Sequence, residues 1–340
     1  METIERIVHS GAGYSWLLVR TLIIFVIWCV PIAAQENDLD DSLTHSQMVE
    51  LFDEFAADIT TSYIYPDIAE RIVEKIRADI ENGVYDGVTT ADSLASLLYK
   101  TTYEISHDRH FKVESLKDRQ TSNAEDKPDR PVDFGANHGF REVQILPRNI
   151  GYVKLETLPG DDESIKAAAK EMAKVTSCDA LIFDLLDNEG GSGDMVELLC
   201  NYLFDGDKLL YSFYDRDGNR SYDAITDPDF EGKRLSADAP VYVLVSEHTL
   251  SAAESFAYVL KGFNRAMIVG DTTIGMAHPA RGYSAQNKIF YSIPFLRFEH
   301  SATGSDWEGT GVIPDILTDL ESALDVAVAE ARKNLDQREE

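Results

Sequence analysis

The chain has 340 residues, of which 44% are hydrophobic and 27% are charged. This length allows one large domain or two ordinary ones, and the hydrophobic fraction is that of a globular protein. The formal net charge is −29 and the isoelectric point is near 4.5. Such a surface repels phosphate backbones and anionic lipid, so we expect no nucleic-acid partner and interpret the acidity as solubilising.

Residues 1–34 are predicted to be a targeting segment. Residues 22–30 form an apolar run too short to span a bilayer comfortably, and Pro31-Ile32-Ala33-Ala34 ends in small residues, as cleavage sites do. We therefore predict a secretory signal peptide cut near Ala34, which would make the protein secreted or periplasmic. An uncleaved anchor is the alternative, and contact with a membrane is expected only through such a leader.

The three cysteines fit neither a zinc spacing nor a disulfide framework. Cys29 lies in the leader. Cys178 and Cys200 flank a predicted buried strand and helix, where free thiols are expected, although the two could pair in an oxidising compartment. His-Glu-x-x-His and other clustered ligand spacings are also absent from the sequence. The sequence thus predicts no metal site and no cofactor.

Residues 43–113 are predicted to be a small helical subdomain. Apolar residues recur there at intervals of three and four as far as about Tyr99. Asn82-Gly83 and Asp86-Gly87 mark breaks between helices.

This subdomain ends in a polar segment, residues 105–113, that contains His107, Asp108 and His110. Taken alone, a polar turn with satisfied histidines is the plainer interpretation. Histidine is also the natural general base at neutral pH, so either ring is a candidate for that role.

Residues 114–139 are polar and interrupted by proline, which predicts a linker or loop. Residues 140–335 alternate buried strands with helices, which predicts an α/β core. Strands are predicted at 143–146, 150–155, 180–186, 241–245 and 266–270, an antiparallel hairpin at 288–293 with 294–298, and helices at 162–175, 195–204 and 320–335.

A glycine-containing loop, residues 187–193, follows the second buried strand and precedes a helix. It lacks the Gly-Lys-Ser/Thr of a nucleotide-binding loop and the third glycine of a dinucleotide fingerprint. Adjacent Gly190 and Gly191 would let backbone amides approach a ligand oxygen, as an oxyanion hole requires. A plain turn is the alternative.

Ser251 stands where the strand 241–245 gives way to the next helix. A serine at such a junction lies beside unpaired backbone N–H groups and the positive end of the helix dipole, which suits a nucleophile. Serine is also a favoured N-cap, and Glu254 three residues later completes a capping-box pattern. The motif alone favours the structural cap.

Four segments together resemble the catalytic core of the tail-specific protease superfamily. They are Asn188-Glu189-Gly190-Gly191, Ser251-Ala252-Ala253-Glu254, Thr-Thr-x-Gly-x-x-His at 272–278 and Glu-Gly-x-Gly-Val-x-Pro-Asp at 308–315. The resemblance is to the branch with the interphotoreceptor retinoid-binding protein repeats and the tricorn protease core. It covers nearly all of the mature chain and includes Asp108-x-His110-x-x-Val113.

The resemblance implies a mixed α/β (α+β) fold, with a helical N-terminal subdomain before a core of the ClpP/crotonase type with a mixed sheet. It places the nucleophile at Ser251. The lysine that assists the serine in C-terminal processing members is replaced here by Met276. In the tricorn-like branch the base matches His110 and the carboxylate that orients it matches Glu308.

Chemistry supports this assignment, because a serine hydroxyl needs a base and the resulting imidazolium needs a carboxylate. The Ala252 amide, with Gly190 or Gly191, would face the oxyanion. His278 and His107 are left as alternative bases or substrate contacts. No room for a PDZ module exists in residues 114–140.

Two functions remain open from the sequence. The first is an extracytoplasmic serine-type peptidase that hydrolyses peptide bonds through an acyl-enzyme. The second is a non-catalytic protein of the same fold that binds a hydrophobic small molecule. The partner is accordingly a peptide or protein substrate, or such a ligand, and the oligomeric state is not predicted.

Overall fold

The computed structural model describes residues 41–119 and 137–339. The predicted signal peptide, Cys29 and most of the predicted linker lie outside the described residues. Within the described part of the chain, none of the helices combines the length and apolar character needed to cross a bilayer.

Three helices open the described chain, as the helical spacing predicted. They are α1 (His45–Ser62), α2 (Pro66–Glu81) and α3 (Ala91–Ser106), followed by strand β1 (Lys112–Ser115). Thr44 caps α1 in a reciprocal capping box with Gln47, and Pro66 occupies the first turn of α2, where its missing N–H costs nothing. The chain turns between α2 and α3 at residues 82–87, which contain the predicted glycine breaks.

The remaining elements alternate strands and helices. The strands are β2 (Phe140–Leu146), β3 (Ile150–Leu155), β4 (Ala180–Asp184), β5 (Leu209–Tyr214), β6 (Arg220–Ile225), β7 (Val241–Val245), β8 (Met267–Gly270), β9 (Ala280–Ala285), β10 (Ile289–Pro294), β11 (Arg297–His300) and β12 (Ile316–Leu317). The helices are α4 (Asp162–Met172), α5 (Gly193–Asn201), α6 (Ala252–Gly262) and α7 (Ala323–Glu339).

A six-stranded mixed sheet is the centre of the core, in the order β12-β8-β7-β4-β3-β2. Neighbouring strands are parallel except β2, which pairs with β3 in the antiparallel sense. This confirms the predicted mixed α/β fold. The carboxyl ends of β4 and β7 therefore meet at one edge of the sheet, where ligands bind in open α/β sheets.

Both faces of this sheet are covered, which explains why β4 and β7 are unbroken apolar runs. Alternate residues of β4 point to opposite faces: Leu181 and Phe183 pack with α4, α5 and α6, whereas Ile182 packs against α7. Phe183 meets Phe256 of α6 edge to face, with ring centroids 5.0 Å apart. Helix α6 is thereby held at a fixed position behind the end of β7.

The N-terminal helices share their hydrophobic core with a hairpin from the far end of the chain. Strands β1, β10 and β9 form an antiparallel sheet, and Ile289, Tyr291 and Ile293 are buried together with the apolar faces of α1, α2 and α3. The Tyr291 hydroxyl donates a 2.6 Å hydrogen bond to Asp58 of α1. Residues 43–113 therefore do not pack alone, because residues 280–294 complete their core.

One strand pairing differs from the sequence prediction. The predicted hairpin of 288–293 with 294–298 does not form, because β10 pairs with β9, in register Tyr291↔Tyr283, and β11 pairs with β5, in register Phe298↔Phe213. Alternating apolar residues identify strands but do not identify their partners, and Gln286-Asn287 supplies the positive φ angles of the turn. The three-stranded sheet β11-β5-β6 results from this pairing.

Cys178 and Cys200 are free, buried thiols, as predicted.

A partly buried carboxyl group beside the sheet β11-β5-β6 makes the free energy of unfolding depend on pH. Glu197 of α5 accepts a 2.5 Å hydrogen bond from the Tyr222 hydroxyl of β6, and burial raises the pKa of Glu197 to about 7. The folded chain therefore binds a proton that the unfolded chain, with an ordinary carboxyl pKa near 4.5, has released. Stability from this group is complete below about pH 4.5 and is lost as pH rises through about 7.

We expect Glu197→Gln to raise the free energy of unfolding at pH 8 by about 1–3 kcal/mol, because a neutral amide avoids burial of a charge. Near pH 4.5 the variant and the parent should be equally stable. Denaturant unfolding at both pH values measures this difference, with the exposed Glu70→Gln as the control. Equal stabilisation at the two pH values would contradict the assigned titration.

Candidate active site

Ser251 lies in the turn between β7 and α6, in a backbone conformation that is rare for a residue with a side chain. Its φ and ψ angles are 51° and −116°. Such conformations cost of order 1–3 kcal/mol and persist only where the surroundings impose them. The turn is held by Ser246 and Thr249, whose hydroxyls donate to the carbonyls of Leu186 and Leu185 just beyond β4. An ordinary helix cap requires no such strain, because N-cap residues normally have extended backbone.

The glycine pair lies directly against this turn. A Cβ atom on Gly190 would lie 3.0 Å from Ser251 Cβ and 2.6 Å from the Leu250 carbonyl oxygen, so only glycine fits. Both glycines have positive φ angles, 94° for Gly190 and 144° for Gly191. Leu250 N–H donates to the Asn188 carbonyl at 2.9 Å, which joins the two loops. The sequence-predicted oxyanion residues and Ser251 are thus neighbours.

The two glycines differ in what their amides already bind. The Gly190 N–H donates to Asn188 Oδ1 at 2.8 Å. The backbone of Leu158 pairs with this loop through two hydrogen bonds: the Leu158 N–H donates to the Gly190 carbonyl, and the Ser192 N–H donates to the Leu158 carbonyl. Neither bond involves the Gly191 N–H. Among the hydrogen bonds of the described residues, neither the Gly191 N–H nor the Ala252 N–H has an acceptor. Of the two glycines, Gly191 therefore has the amide available to a ligand.

Glu254 connects the serine turn to the loop that follows β8. This fully buried carboxylate accepts hydrogen bonds from the Ser251 N–H at 2.9 Å, the Gly275 N–H at 2.8 Å, the Met276 N–H at 3.0 Å and the Thr273 hydroxyl at 2.5 Å. Burial raises the pKa of Glu254, while the four donors oppose that rise. The Glu254 half of the capping box is therefore formed, and the same carboxylate also holds the loop 273–276 against the serine turn.

The next residues of that loop hold Glu308. The Ala277 and His278 N–H groups donate to Glu308 Oε2 at 2.6 and 3.2 Å. His110 Nδ1 lies 3.8 Å from the same oxygen, which is longer than a hydrogen bond. Burial pushes the pKa of Glu308 up, but the nearby His110 and His278 rings and the Ala277 amide outweigh burial and lower it. Glu308 is thus an ionised carboxylate beside the His110 ring.

His110 lies in the short segment between α3 and β1, two residues before the strand begins. Its N–H donates to Asp108 Oδ1 at 3.0 Å, and its carbonyl accepts from the Ser292 hydroxyl of β10 at 2.5 Å. Only 7% of the residue is exposed, and its Nδ1 is buried without a hydrogen-bond partner. The ring is therefore positioned by its backbone and is free to form a stronger bond with Glu308.

His278 forms a second buried pair in the same region. Its Nδ1 lies 2.9 Å from Asp108 Oδ2 and 3.5 Å from Glu308 Oε2, and its Nε2 lies 3.4 Å from the Tyr65 hydroxyl. Burial lowers the pKa of His278, but the hydrogen bond to Asp108 and the surrounding carboxylates outweigh burial, so the pKa is raised overall. This pair joins the segment after α3 to the loop after β8.

The remaining candidates lie elsewhere. His107 is exposed and ends α3 in a left-handed conformation, where its ring meets Tyr103. A cavity of about 480 Å³ is lined by Arg148, Asp179 and Arg338, at the amino ends of the strands and away from Ser251.

The sequence predictions assigned no role to Asp108 or Tyr65. The Asp-x-His spacing was the available signal for Asp108, because an aspartate often accepts the N–H two residues on.

This arrangement is an α/β fold whose candidate site centres on a serine in a strained strand-to-helix turn. The chain belongs to peptidase family S41, which its residues 149–318 match, and its residues 42–138 match the N-terminal domain of that family in eukaryotic IRBP. The family resemblance predicted from the sequence motifs is thus confirmed.

Individual relatives agree with this assignment. The chain is 29% identical over 174 residues to the chloroplastic carboxyl-terminal-processing peptidase 2 of Arabidopsis thaliana, which covers 49% of this chain and 31% of that protein. The chain spans about a third of the length of the curated relatives it matches, 31% and 38%.

Solved structures show the same fold at low identity. A photosystem II D1 C-terminal processing protease has a TM-score of 0.53 and 16% identity, covering 82% of this chain and 94% of its own. A lipoprotein from Streptococcus agalactiae has a TM-score of 0.56 and 14% identity, covering 87% of this chain and all of its own.

We expect Glu254→Gln to lower the free energy of unfolding by about 1–3 kcal/mol, because the amide end of glutamine faces donors that then lack an acceptor. The exposed Glu247→Gln in the same loop region is the control and should change little. Chemical denaturation measures the difference, and hydrogen exchange should show faster opening at Gly275 and Met276. Unchanged exchange at both amides would contradict the role given to Glu254.

Proposed function

We propose that this protein is a serine-type peptidase with Ser251 as nucleophile, His110 as general base and Glu308 as the carboxylate that orients the base. The strained backbone of Ser251 carries the proposal, because this conformation is imposed at a single residue that lies directly against a glycine pair. Strain of this kind is typical of nucleophiles presented on a strand-to-helix turn.

The contacts of Glu254 and Glu308 support a common site for the three residues. Glu254 links the Ser251 amide to the loop 273–276, whose continuation donates two N–H groups to Glu308. Glu308 in turn lies next to His110 Nδ1. In our proposal the other ring nitrogen, Nε2, faces the Ser251 hydroxyl when substrate is bound.

The proposed reaction follows from these positions. His110 accepts the Ser251 hydroxyl proton as the serine oxygen attacks the peptide carbonyl carbon, and Glu308 stabilises the imidazolium. The carbonyl oxygen becomes an oxyanion facing the Ala252 and Gly191 N–H groups. The imidazolium then protonates the leaving amine, and a water molecule hydrolyses the acyl-enzyme by the same sequence of proton transfers.

The structure of the glycine loop favours Gly191 over Gly190 as the second oxyanion donor. The Gly190 N–H is already engaged by the Asn188 side chain. We therefore assign Gly190 a steric role, in which the missing side chain lets the loop lie against Ser251, and Gly191 an electrostatic role.

We propose peptide or protein substrates and an extracytoplasmic location. The first follows from the family and from relatives described as carboxyl-terminal-processing proteases. The second depends on the leader predicted in residues 1–34. Met276 stands where processing members carry a lysine, and its N–H binds Glu254, so the base in our proposal comes from the N-terminal subdomain instead.

Ser251→Ala should abolish peptide hydrolysis and leave the melting temperature within a few degrees of the parent, because the hydroxyl has no structural role in the proposal. Ser255→Ala, one helical turn further, is the matched control and should retain activity. Digestion of a peptide library by the purified full chain measures hydrolysis, and a fluorophosphonate probe should label only chains with Ser251. A folded parent that neither hydrolyses peptides nor reacts with the probe would instead indicate a binding protein.

Glu308→Gln should reduce kcat by about 10²–10⁴-fold with a smaller effect on KM, because the imidazolium loses its stabilising charge while substrate contacts persist. The exposed Glu321→Gln serves as the control. Steady-state kinetics on a peptide substrate separate the two constants. A Glu308→Gln variant with wild-type kcat would exclude this carboxylate from the mechanism.

A further inference from the structure

The region around His278 has an unusual excess of buried negative charge. Asp108 is 2% exposed, and the side chains of Glu308 and Asp306 are 13% and 22% exposed. Among the ion pairs of residues 41–119 and 137–339, these three carboxylates meet only histidine on the cationic side. Buried carboxylates without a fixed cation are costly, and a bound metal ion is one of the two common ways to compensate them.

The ligand atoms already have the spacing of a metal site. One ligand atom from each of Asp108, His278 and Glu308 lies within 4.8 Å of the other two. His278 Nδ1 is 2.9 Å from Asp108 Oδ2 and 3.5 Å from Glu308 Oε2. Zinc binds nitrogen and oxygen at about 2.0–2.2 Å, which places tetrahedral ligands about 3.3–3.5 Å apart. Only shifts of a few tenths of an ångström separate these two distances from that geometry.

The surroundings supply two further features of a metal site. The Tyr65 hydroxyl lies 3.4 Å from His278 Nε2, where it can orient the ring and leave Nδ1 to face the carboxylates. His110 Nδ1 lies 3.8 Å from Glu308 Oε2 and is buried without a hydrogen-bond partner. An imidazole combined with carboxylates suits zinc or a similar transition metal rather than Mg²⁺.

We propose that Asp108, His278 and Glu308 bind a divalent transition metal ion, of which zinc is the best fit, and that this ion inhibits the site. Binding replaces the proton between His278 and Asp108, which leaves to solvent, and draws Glu308 Oε2 onto the metal. Glu308 is then no longer available to His110. The binding site stands by itself, whereas inhibition rests on the proposed function of Glu308 and His110.

Zinc binding is measured first, on the full chain carrying Ser251→Ala, because Ser251 is not a ligand and this variant cannot digest itself. Calorimetry of the chelator-treated protein should give one zinc ion per chain, and Co²⁺ should give visible absorption bands of a tetrahedral site. His278→Gln should weaken binding by at least about tenfold, and the exposed His248→Ala should not change it.

Two checks protect this test against misfolding. Asp108→Asn is a second ligand variant, and near-ultraviolet circular dichroism establishes that each variant is folded. Zinc, but not Mg²⁺, should also raise the melting temperature of the Ser251→Ala chain in a concentration-dependent way. The proposal is overturned if the Ser251→Ala chain binds no stoichiometric zinc, or if folded His278→Gln and Asp108→Asn bind it as tightly.

Inhibition is measured separately on the chain with Ser251 intact. Zinc should suppress peptide hydrolysis over the concentration range in which it binds, and a chelator should restore hydrolysis. Hydrolysis that continues with zinc fully bound would overturn the inhibitory role. A chain that binds zinc but never hydrolyses peptides would instead refute the proposed function and leave the metal site established.

Discussion

The buried carboxylate of Glu254 is the interaction on which the candidate site depends. A charge at this depth is stable only because four donors converge on it from the serine turn and from the loop after β8. That convergence fixes the loop, and the loop fixes Glu308 through two further N–H groups. The sequence pattern indicates only a helix-capping role for Glu254. In the structure Glu254 also determines the position of Glu308, the carboxylate next to His110.

A second constraint is the way in which the two parts of the described chain share structure. The helices α1, α2 and α3 complete their hydrophobic core with β9 and β10, which come from the other end of the chain. Asp108 and His278 then form a buried polar contact across the same junction. His110, the candidate base, is thereby positioned by packing that involves both parts of the described chain.

The same polar cluster links the two proposals. A peptidase site needs one ionised carboxylate beside its base, but this region contains three carboxylates and two histidines at short distances. One histidine and one carboxylate suffice for the proposed acyl transfer. The additional pair, Asp108 and His278, completes with Glu308 the three ligands of the proposed metal site.

The sequence alone determined the family and most strands of the six-stranded sheet, although it predicted neither β5 nor β6. Strands β4 and β7 are buried on both faces, so each is a continuous apolar run, and helix periodicity exposed the buried faces of α1, α2 and α3. Four motifs in a fixed order identified the family and gave Ser251, His110 and Glu308 as candidates. These features are local, since each depends on residues that are close together in the chain.

The tertiary structure alone decided the pairings and the polar contacts. The partners of β10 and β11 depend on which apolar faces meet, and alternation in sequence carries no such information. The Gly190 N–H is bound to the Asn188 side chain, whereas the Gly191 N–H is available to a ligand. The sequence shows only two adjacent glycines and cannot distinguish their amides. Asp108 and His278 are 170 residues apart, and only the folding of β1, β9 and β10 into one sheet brings such distant groups within hydrogen-bonding distance.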